Sequence, residues 1–168
     1  ICNLKDNSVG FVNRGAEKNS DFVIKLAERS PELSFHIYGH TDALPEALPC
    51  NVFVKGWESD REKMFSSVSL WIVPSCWAEP FGRVSIEAQA AQRPVLVADN
   101  GGLPETVLDP RFKIKGFNIP EWRDRIHELL TIGESDLVDN SLRIQKIYSK
   151  EAHDKKIFEV FGRITNQP

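Results

Sequence analysis

LWIVPSCWAEPFGRVSIEAQAAQRPVLVA, residues 70–98, contains two continuous apolar runs of strand length with a helical pattern between them. The two runs are residues 70–73 and 94–98. Uninterrupted apolar runs are expected of central parallel strands, because helices cover both faces of such strands. A strand, a helix and a second parallel strand form one right-handed β-α-β unit. The segment therefore predicts an α/β fold with a parallel sheet.

The same alternation of strands and helices extends on both sides of this segment. Further strands are expected at residues 9–12, 34–38 and 52–54, and a helix at residues 20–29. Ser59 and Glu62 have the spacing of a capping box, which predicts the start of another helix there. From about Pro120 onward the apolar spacing is helical. We therefore predict a doubly wound, Rossmann-like parallel sheet with a helical C-terminal tail.

Composition sets limits on the class of protein. With 168 residues, 41% hydrophobic and 27% charged, the chain has the composition of one ordinary globular domain. A net charge of −3 argues against a nucleic-acid partner. Three scattered cysteines without metal-ligand spacing favour a reducing, cytoplasmic location and indicate no metal site. Because the chain begins Ile1-Cys2-Asn3 without an initiator Met, we interpret it as a fragment of a longer protein.

Glu87 occupies an unusual position on its predicted helix. On a helical wheel, Val84, Ala88 and Ala91 lie within about 40° and form a core-facing stripe, and Glu87 falls in the same apolar arc. The polar wedge on the other side consists of Ser85, Gln89 and Gln92. Burying an ionised carboxylate costs roughly several kcal/mol unless a partner hydrogen-bonds it. The partner is either a neighbouring protein group or a ligand.

The turn at residues 79–83 leads directly into this helix. The first backbone N–H groups of a helix lack partners within it and carry the positive end of its dipole. Gly82 would let a ligand approach the backbone closely. Such a turn suits a phosphate or a sugar hydroxyl. The alternative is an ordinary, well-capped junction between a strand and a helix.

A second strand-end loop, at residues 13–19, carries two cations. Arg14 and Lys18 crowd the start of a helix, where the macrodipole disfavours positive charge. A bound diphosphate would remove this conflict, because both side chains pair well with phosphate. The alternative is a solvated charged loop in which Glu17 screens its neighbours.

Two other strand ends carry weaker signals. The segment NGGLPE at residues 100–105 has a proline, Pro104, suited to the first turn of a short helix. Trp57 follows a predicted strand and either stacks on a base or packs on a neighbour. No Gly-x-Gly-x-x-Gly follows the first strand, which counts against a dinucleotide oxidoreductase.

Together these loops resemble the C-terminal, donor-binding domain of GT-B glycosyltransferases, in the retaining family called glycosyltransferase group 1. The resemblance covers roughly residues 9–107, and its most specific part is a Glu-x7-Glu motif from Glu79 to Glu87. Val-Pro-Ser at 73–75 precedes the motif, and Pro-Val at 94–95 and Gly-Gly-Leu-Pro-Glu at 101–105 follow it. The resemblance implies the C-terminal domain of a GT-B enzyme.

The resemblance implies catalytic roles for three residues. Glu79 would face the donor sugar near its anomeric centre, and Lys18 and Arg14 would neutralise the leaving diphosphate. The interval from Arg14 to Lys18 is one residue shorter than the family pattern, so Lys18 matches that pattern better. Glu79 is expected to be more exposed than Glu87.

The resemblance also implies a set of donor-binding residues. Glu87 would hydrogen-bond the ribose hydroxyls, which would satisfy its carboxylate. The backbone amides of Phe81, Gly82 and Arg83 would hold sugar hydroxyls and the distal phosphate. Trp57 completes this predicted set, as a residue that could stack on the base.

The implied reaction moves a glycosyl group from a nucleoside-diphosphate sugar to an acceptor hydroxyl with retained configuration. It needs neither metal nor cofactor, and its setting would be cell-surface polysaccharide or glycoconjugate synthesis. Residues 1–168 would form the nucleotide-sugar-binding domain, whose partner is an N-terminal acceptor domain that the sequence does not contain. The isolated domain is predicted to be inactive, and any association with the inner face of a membrane would come from the absent half.

Other functions remain open at this point. A non-catalytic nucleotide- or sugar-binding module could have the same fold, although the intact Glu79 and Glu87 argue against lost turnover. A GT-B-like nucleotide-sugar epimerase would need a further histidine or carboxylate constellation. In the tail, Ile157, Val160 and Phe161 are expected to be partly exposed, because the family's last helix typically crosses to the other domain.

Overall fold

The computed structural model describes residues 7–41 and 44–165 and contains a six-stranded, entirely parallel sheet. The strands are β1 (Ser8–Asn13), β2 (Ser34–Gly39), β3 (Val52–Gly56), β4 (Leu70–Val73), β5 (Val95–Ala98) and β6 (Lys113–Ile114). Their order in the sheet is β3-β2-β1-β4-β5-β6. This is a doubly wound, Rossmann-like order that changes direction between β1 and β4, where ligands bind in open α/β sheets. The predicted fold class is confirmed.

Six α-helices flank and follow the sheet in the described part of the chain. They are α1 (Ser20–Glu28), α2 (Arg61–Ser66), α3 (Arg83–Ala90), α4 (Ile119–Leu129), α5 (Glu134–Tyr148) and α6 (Lys150–Thr165). A short 3₁₀ turn at Leu103–Thr106 has Pro104 in its first turn, as predicted. The helical tail is also confirmed. β6 was not predicted, because two residues are too few to show a strand pattern.

The start of α2 differs from the prediction. Its N-cap is Asp60, whose side chain accepts a hydrogen bond from the backbone N–H of Lys63 at 3.0 Å. Ser59, which had capping-box spacing with Glu62, is exposed and lies one residue earlier. Aspartate is at least as good an N-cap as serine, so the later residue takes the capping position.

The stripe of Val84, Ala88 and Ala91 on α3 packs against the core as predicted, but part of the polar side of this helix is buried as well. Gln89 donates hydrogen bonds to the backbone oxygens of Ser85 at 2.9 Å and Thr106 at 2.8 Å, and accepts one from Asn140 of α5 at 3.1 Å. The Ser85 and Thr106 hydroxyls bond each other. Polar groups satisfied in this way can be buried at little cost. Of the expected polar wedge, Ser85 and Gln89 are therefore buried, with Gln89 against α5, and Gln92 is exposed. Glu87 lies at the edge with its side chain 24% exposed.

Apolar side chains are left exposed on the last helix. Phe158 and Phe161 of α6 are 76% and 61% exposed, and Ile157 is 39% exposed. The predicted exposure is confirmed for Ile157 and Phe161, whereas the side chain of Val160 lies outside the described residues. No helix within residues 7–41 and 44–165 is both long and apolar enough to span a membrane.

Candidate functional site

A cleft of about 330 Å³ opens at the carboxyl ends of β1 and β4, where the strand order changes direction. Its walls come from the loops after β1, β3 and β4 and from the first turns of α2 and α3. Among the lining residues are the predicted site residues Arg14, Lys18, Trp57, Glu79, Phe81, Gly82 and Arg83. The structure therefore brings together all of the sequence-predicted site residues except Glu87.

Glu79 and Lys18 join the two loops that meet at this point. One carboxylate oxygen of Glu79 accepts hydrogen bonds from Lys18 Nζ and from Ser75 Oγ. The loops also meet through their backbones, because the Cys76 N–H donates to the Glu17 carbonyl at 3.0 Å. The Glu79 side chain is only 10% exposed, so the expectation that it is more exposed than Glu87 was wrong. The ion pair with Lys18 and the hydroxyl of Ser75 compensate for its desolvation.

The paired glycines at 101–102 pack against the turn that carries Glu79. The Gly102 N–H donates to the Glu79 carbonyl at 2.6 Å. A Cβ added at Gly101, whose φ is +58°, would lie 2.5–2.6 Å from backbone atoms of Ala78 and Glu79. Only glycines allow so close an approach of the two backbones. The glycine loop therefore supports the turn that carries Glu79 from behind. The turn lines the cleft, and the two glycines do not.

The N-terminus of α3 faces the cleft through Phe81, Gly82 and Arg83. Gly82 is the N-cap residue in the left-handed region, with φ of +84°, and a Cβ there would collide with Leu103. The first backbone N–H groups of α3 carry the positive end of its dipole. The turn thus has the form expected for binding an anion or a hydroxyl.

Glu87 lies outside the lining of the cleft and has protein partners. Its two carboxylate oxygens pair with Arg61 and, at 3.2 Å, with Arg83. Both guanidinium groups line the cleft. Of the two kinds of partner that the sequence left open, the structure contains the protein groups. The ribose contact stays a prediction.

Arg14 lies across an exposed aromatic ring. Its guanidinium carbon is 4.8 Å from the ring centroid of Trp57, which is a cation–π distance. Trp57 is 62% exposed, and the ring of His40 is 6.1 Å from it. The arrangement presents one charged and one flat aromatic group at the same rim.

The cleft has an excess of positive charge. Four cationic side chains line it, namely Arg14, Lys18, Arg61 and Arg83, against the carboxylates of Glu58 and Glu79. Burial lowers the pKa of Arg61, and the nearby charges of Arg83 and Arg14 lower it further. Crowded guanidinium groups of this kind favour an anionic ligand.

Sequence reasoning missed Arg61 and Ser75. Arg61 is the first residue of α2, where the helix dipole disfavours a cation. The same signal had singled out Arg14 and Lys18 and would have found Arg61. Ser75 belongs to the Val-Pro-Ser segment of the family resemblance but was assigned no role, because its contact with Glu79 depends on how the turn folds. Among the described residues, no group of three or more His, Cys, Asp or Glu side chains is arranged to hold a metal ion.

Sequence comparison relates most of the chain to known transferases. The family model described as "Glycosyl transferases group 1" matches residues 2–141. D-inositol 3-phosphate glycosyltransferase of Mycobacterium leprae is 29% identical over 147 residues, covering 77% of this chain and 34% of the relative. The Mycobacterium tuberculosis protein of the same name is 38% identical over 76 residues, which is 44% of this chain and 16% of that protein. The chain thus spans about a third of the length of the first of these curated relatives.

Structural comparison finds the same fold in solved glycosyltransferases. A glycosyltransferase of Rickettsia africae superposes with a TM-score of 0.82 at 17% identity, covering 98% of this chain and 49% of that one. HepE of Anabaena, solved with UDP and glucose, gives 0.79 at 19% identity and covers 94% and 48%. TarM of S. aureus, solved as a mutant in complex with UDP and other ligands, gives 0.76 at 22% and covers 96% and 36%. The chain therefore belongs to the glycosyl transferases group 1 family, and its Rossmann-like sheet has the fold seen in GT-B glycosyltransferases.

Proposed function

We propose that this chain is the donor-binding half of a retaining glycosyltransferase that uses a nucleoside-diphosphate sugar. The observation that carries the proposal is the cationic cleft at the switch point, with the Lys18–Glu79 pair between its two loops. Relatives of the same fold were solved with UDP, which supports a nucleoside diphosphate as the ligand class. The acceptor would bind outside this chain, since the part of the chain that matches covers only 34% of the relative's length.

In the proposed reaction, the bond between the sugar's anomeric carbon and the oxygen of the distal phosphate breaks, and the acceptor's hydroxyl oxygen forms a new bond to that carbon on the same face. The hydroxyl proton goes to the departing diphosphate, on which negative charge accumulates as the first bond breaks. Lys18, Arg14 and the backbone N–H groups at the start of α3 would stabilise that charge in place of a metal ion. Because these groups are carried by loops that the fold holds at the cleft, they need little reorganisation when the charge develops.

Glu79 would face the sugar from the opposite side of the same site. Its carboxylate would accept a hydrogen bond from a sugar hydroxyl and stabilise positive charge near the anomeric carbon. Ser75 holds the carboxylate in place, and the ion pair with Lys18 compensates for its burial. When the donor binds, Lys18 would leave Glu79 and pair with the phosphate. The Glu79 carboxylate would then be free to contact the sugar, so we assign both Lys18 and Glu79 to the reaction.

The remaining contacts would bind the rest of the donor. The amides of Phe81, Gly82 and Arg83 would hold the distal phosphate and sugar hydroxyls at the start of α3. Glu87 would accept hydrogen bonds from the ribose. Trp57, with its exposed ring at the rim, would stack on the base.

The direct test is thermal unfolding of the 168-residue chain with UDP, GDP, ADP and dTDP in turn. A ligand at 100 times its Kd adds about 2.7 kcal/mol to the free energy of unfolding. For a chain of this size the melting temperature should rise by about 5–10 °C with the matching nucleotide. Arg14→Ala should reduce the rise, because it removes a cation of the cleft without breaking a described ion pair.

Arg29→Ala is the matched control, since Arg29 is exposed at the end of α1 and does not line the cleft. It should leave the ligand-induced rise unchanged. If none of the four nucleotides raises the melting temperature of the wild-type chain, the proposed donor site is wrong. A rise that is equal in both arginine variants would remove Arg14 from the site.

A further inference from the structure

We propose that Arg61 determines specificity for the diphosphate: it pairs with Glu87 at the edge of the cleft and exchanges this ion pair for the phosphates when a nucleotide binds. The inference rests on the proposed function, because it assumes that the cleft takes a nucleoside diphosphate. It adds a residue outside the motifs on which the family resemblance is based, and it gives the Arg61–Glu87 pair a role in ligand discrimination.

The first observation is where Arg61 lies. It is the first residue of α2, it lines the cleft, and its guanidinium group reaches Glu87 in α3. The guanidinium carbon is also 5.6 Å from the ring centroid of Phe65, which is a buried core residue. The Arg61 side chain is 44% exposed and can therefore reorient without leaving a buried charge unpaired.

The second observation is the local imbalance of charge. Arg61 and Arg83 share one carboxylate, Glu87, and the charge of Arg14 also acts on Arg61. Two guanidinium groups therefore share one carboxylate at this edge of the cleft, and the charge of Arg14 adds to their mutual repulsion. A diphosphate carries at least two negative charges and would relieve this repulsion, whereas an uncharged nucleoside would not.

The consequence is a coupling between the two parts of a nucleotide. A nucleoside whose hydroxyls hydrogen-bond to Glu87 must break the ion pair between Glu87 and Arg61. Because a nucleoside carries no phosphate, the Arg61 guanidinium group is then left without an anionic partner. A nucleoside diphosphate supplies the phosphates as a new partner for Arg61 and leaves Glu87 free to accept hydrogen bonds from hydroxyls. The cleft would thus bind the nucleoside diphosphate more tightly than the nucleoside, and the difference in affinity would exceed the part that Arg14 and Lys18 contribute.

Arg61→Gln tests this preference by isothermal titration calorimetry on the 168-residue chain. The titrants are UDP, GDP, ADP and dTDP, each with its matching nucleoside. For the pair that binds, affinity for the diphosphate should fall roughly 10- to 100-fold, the range expected when a charged hydrogen bond is lost. Affinity for the nucleoside should stay the same or rise, because Glu87 is released. The ratio of the two affinities should therefore fall by about tenfold or more.

Two further variants separate this role from a merely structural one. Arg29→Gln makes the same change at an exposed arginine after α1 that does not line the cleft, and should leave the ratio unchanged. Glu87→Gln breaks the same ion pair from the other side. It should weaken nucleoside and diphosphate together, so that the ratio does not fall.

The outcomes distinguish this inference from the function on which it rests. If the wild-type chain binds none of the four diphosphates, the proposed donor site fails and the inference fails with it. If the wild type binds one of them and Arg61→Gln leaves the affinity ratio unchanged, the inference alone is overturned. A fall in the ratio that Glu87→Gln reproduces would also overturn it, because loss of the contact between α2 and α3 would then explain the effect.

Discussion

Gly101 and Gly116 have similar left-handed backbones, with φ of +58° and +68°, but different surroundings. A Cβ at Gly101 would meet the backbone of the turn that carries Glu79, whereas none of the described atoms lies within 4 Å of the same position at Gly116. We expect Gly116→Ala to lower the free energy of unfolding by about 1–2 kcal/mol, from backbone strain alone. Gly101→Ala should cost about 1–3 kcal/mol more, because the turn must move. Urea denaturation measures both.

The comparison isolates the close approach of the two backbones. If both variants lower the free energy of unfolding by the same amount, the turn at residues 78–80 can move at no energetic cost. Its packing against Gly101 would then not hold the cleft wall in place. Nucleotide binding gives an independent measurement, because displacement of the turn in Gly101→Ala should also weaken the ligand-induced rise in melting temperature.

At the scale of single residues, the sequence predicted which side chains line the cleft. It was less successful in predicting which of them pair with each other. Lys18 and Glu79 come together because the carboxyl ends of parallel strands share one edge of the sheet. The environment of Glu87 could not be predicted from a helical wheel. It depends on α5, which covers the opposite face of α3, and on Arg61, which comes from α2.

At the scale of elements, α4 is joined to the turn after α1 through Glu32. One oxygen of Glu32 pairs with Arg123 at 2.8 Å and with His127 at 2.9 Å. Partial desolvation raises the pKa of Glu32, but hydrogen bonds from its own backbone, Arg123 and His127 outweigh that effect and hold it at about 2. A carboxyl with a depressed pKa stabilises the fold above its unfolded value of 4.5, and this stabilisation is lost as the pH falls toward 2.

We therefore expect Glu32→Gln to be less stable than the wild type at pH 6, by about 1 kcal/mol or less since the pair is largely exposed. The difference should shrink between about pH 5 and pH 2, where the wild-type carboxyl becomes protonated. Chemical denaturation at several pH values measures it. Glu28→Gln, at an exposed glutamate of α1 with no ion pair among the described residues, is the control. A difference that does not depend on pH would contradict the role of ionised Glu32.

Element types were predictable where the apolar pattern was long, and boundaries were not. The continuous runs that became β4 and β5 identified the sheet and its direction. The start of α2 was misplaced by a competing cap, since Asp60 and Ser59 are both good N-cap residues. The choice between these two N-cap residues depends on the path of the loop between β3 and α2. That path is set by contacts with the rest of the fold, which a local sequence pattern does not show.

At the scale of the whole molecule, we expect the proposed donor site and the acceptor site to lie in different parts of a longer protein, because the chain spans about a third of the length of a curated relative. We expect the 168-residue chain to bind its nucleotide but to transfer no sugar, because the acceptor hydroxyl needs a second wall to be positioned. The measurement is release of nucleoside diphosphate from UDP-glucose and other nucleotide sugars. Release that Glu79→Gln abolishes would contradict the expectation, whereas release that this variant leaves unchanged would come from a contaminant.

The contact between Lys18 and Glu79 joins residues that are 61 positions apart in the chain. Closing so long a loop is entropically costly, so the two halves of the cleft meet only after β1 and β4 have paired at the centre of the sheet. A growing chain on the ribosome would therefore have no nucleotide pocket until both strands had emerged and docked. A ligand bound across these loops would slow hydrogen exchange in the central strands wherever exchange requires global unfolding, since binding to the folded chain alone raises the free energy of unfolding.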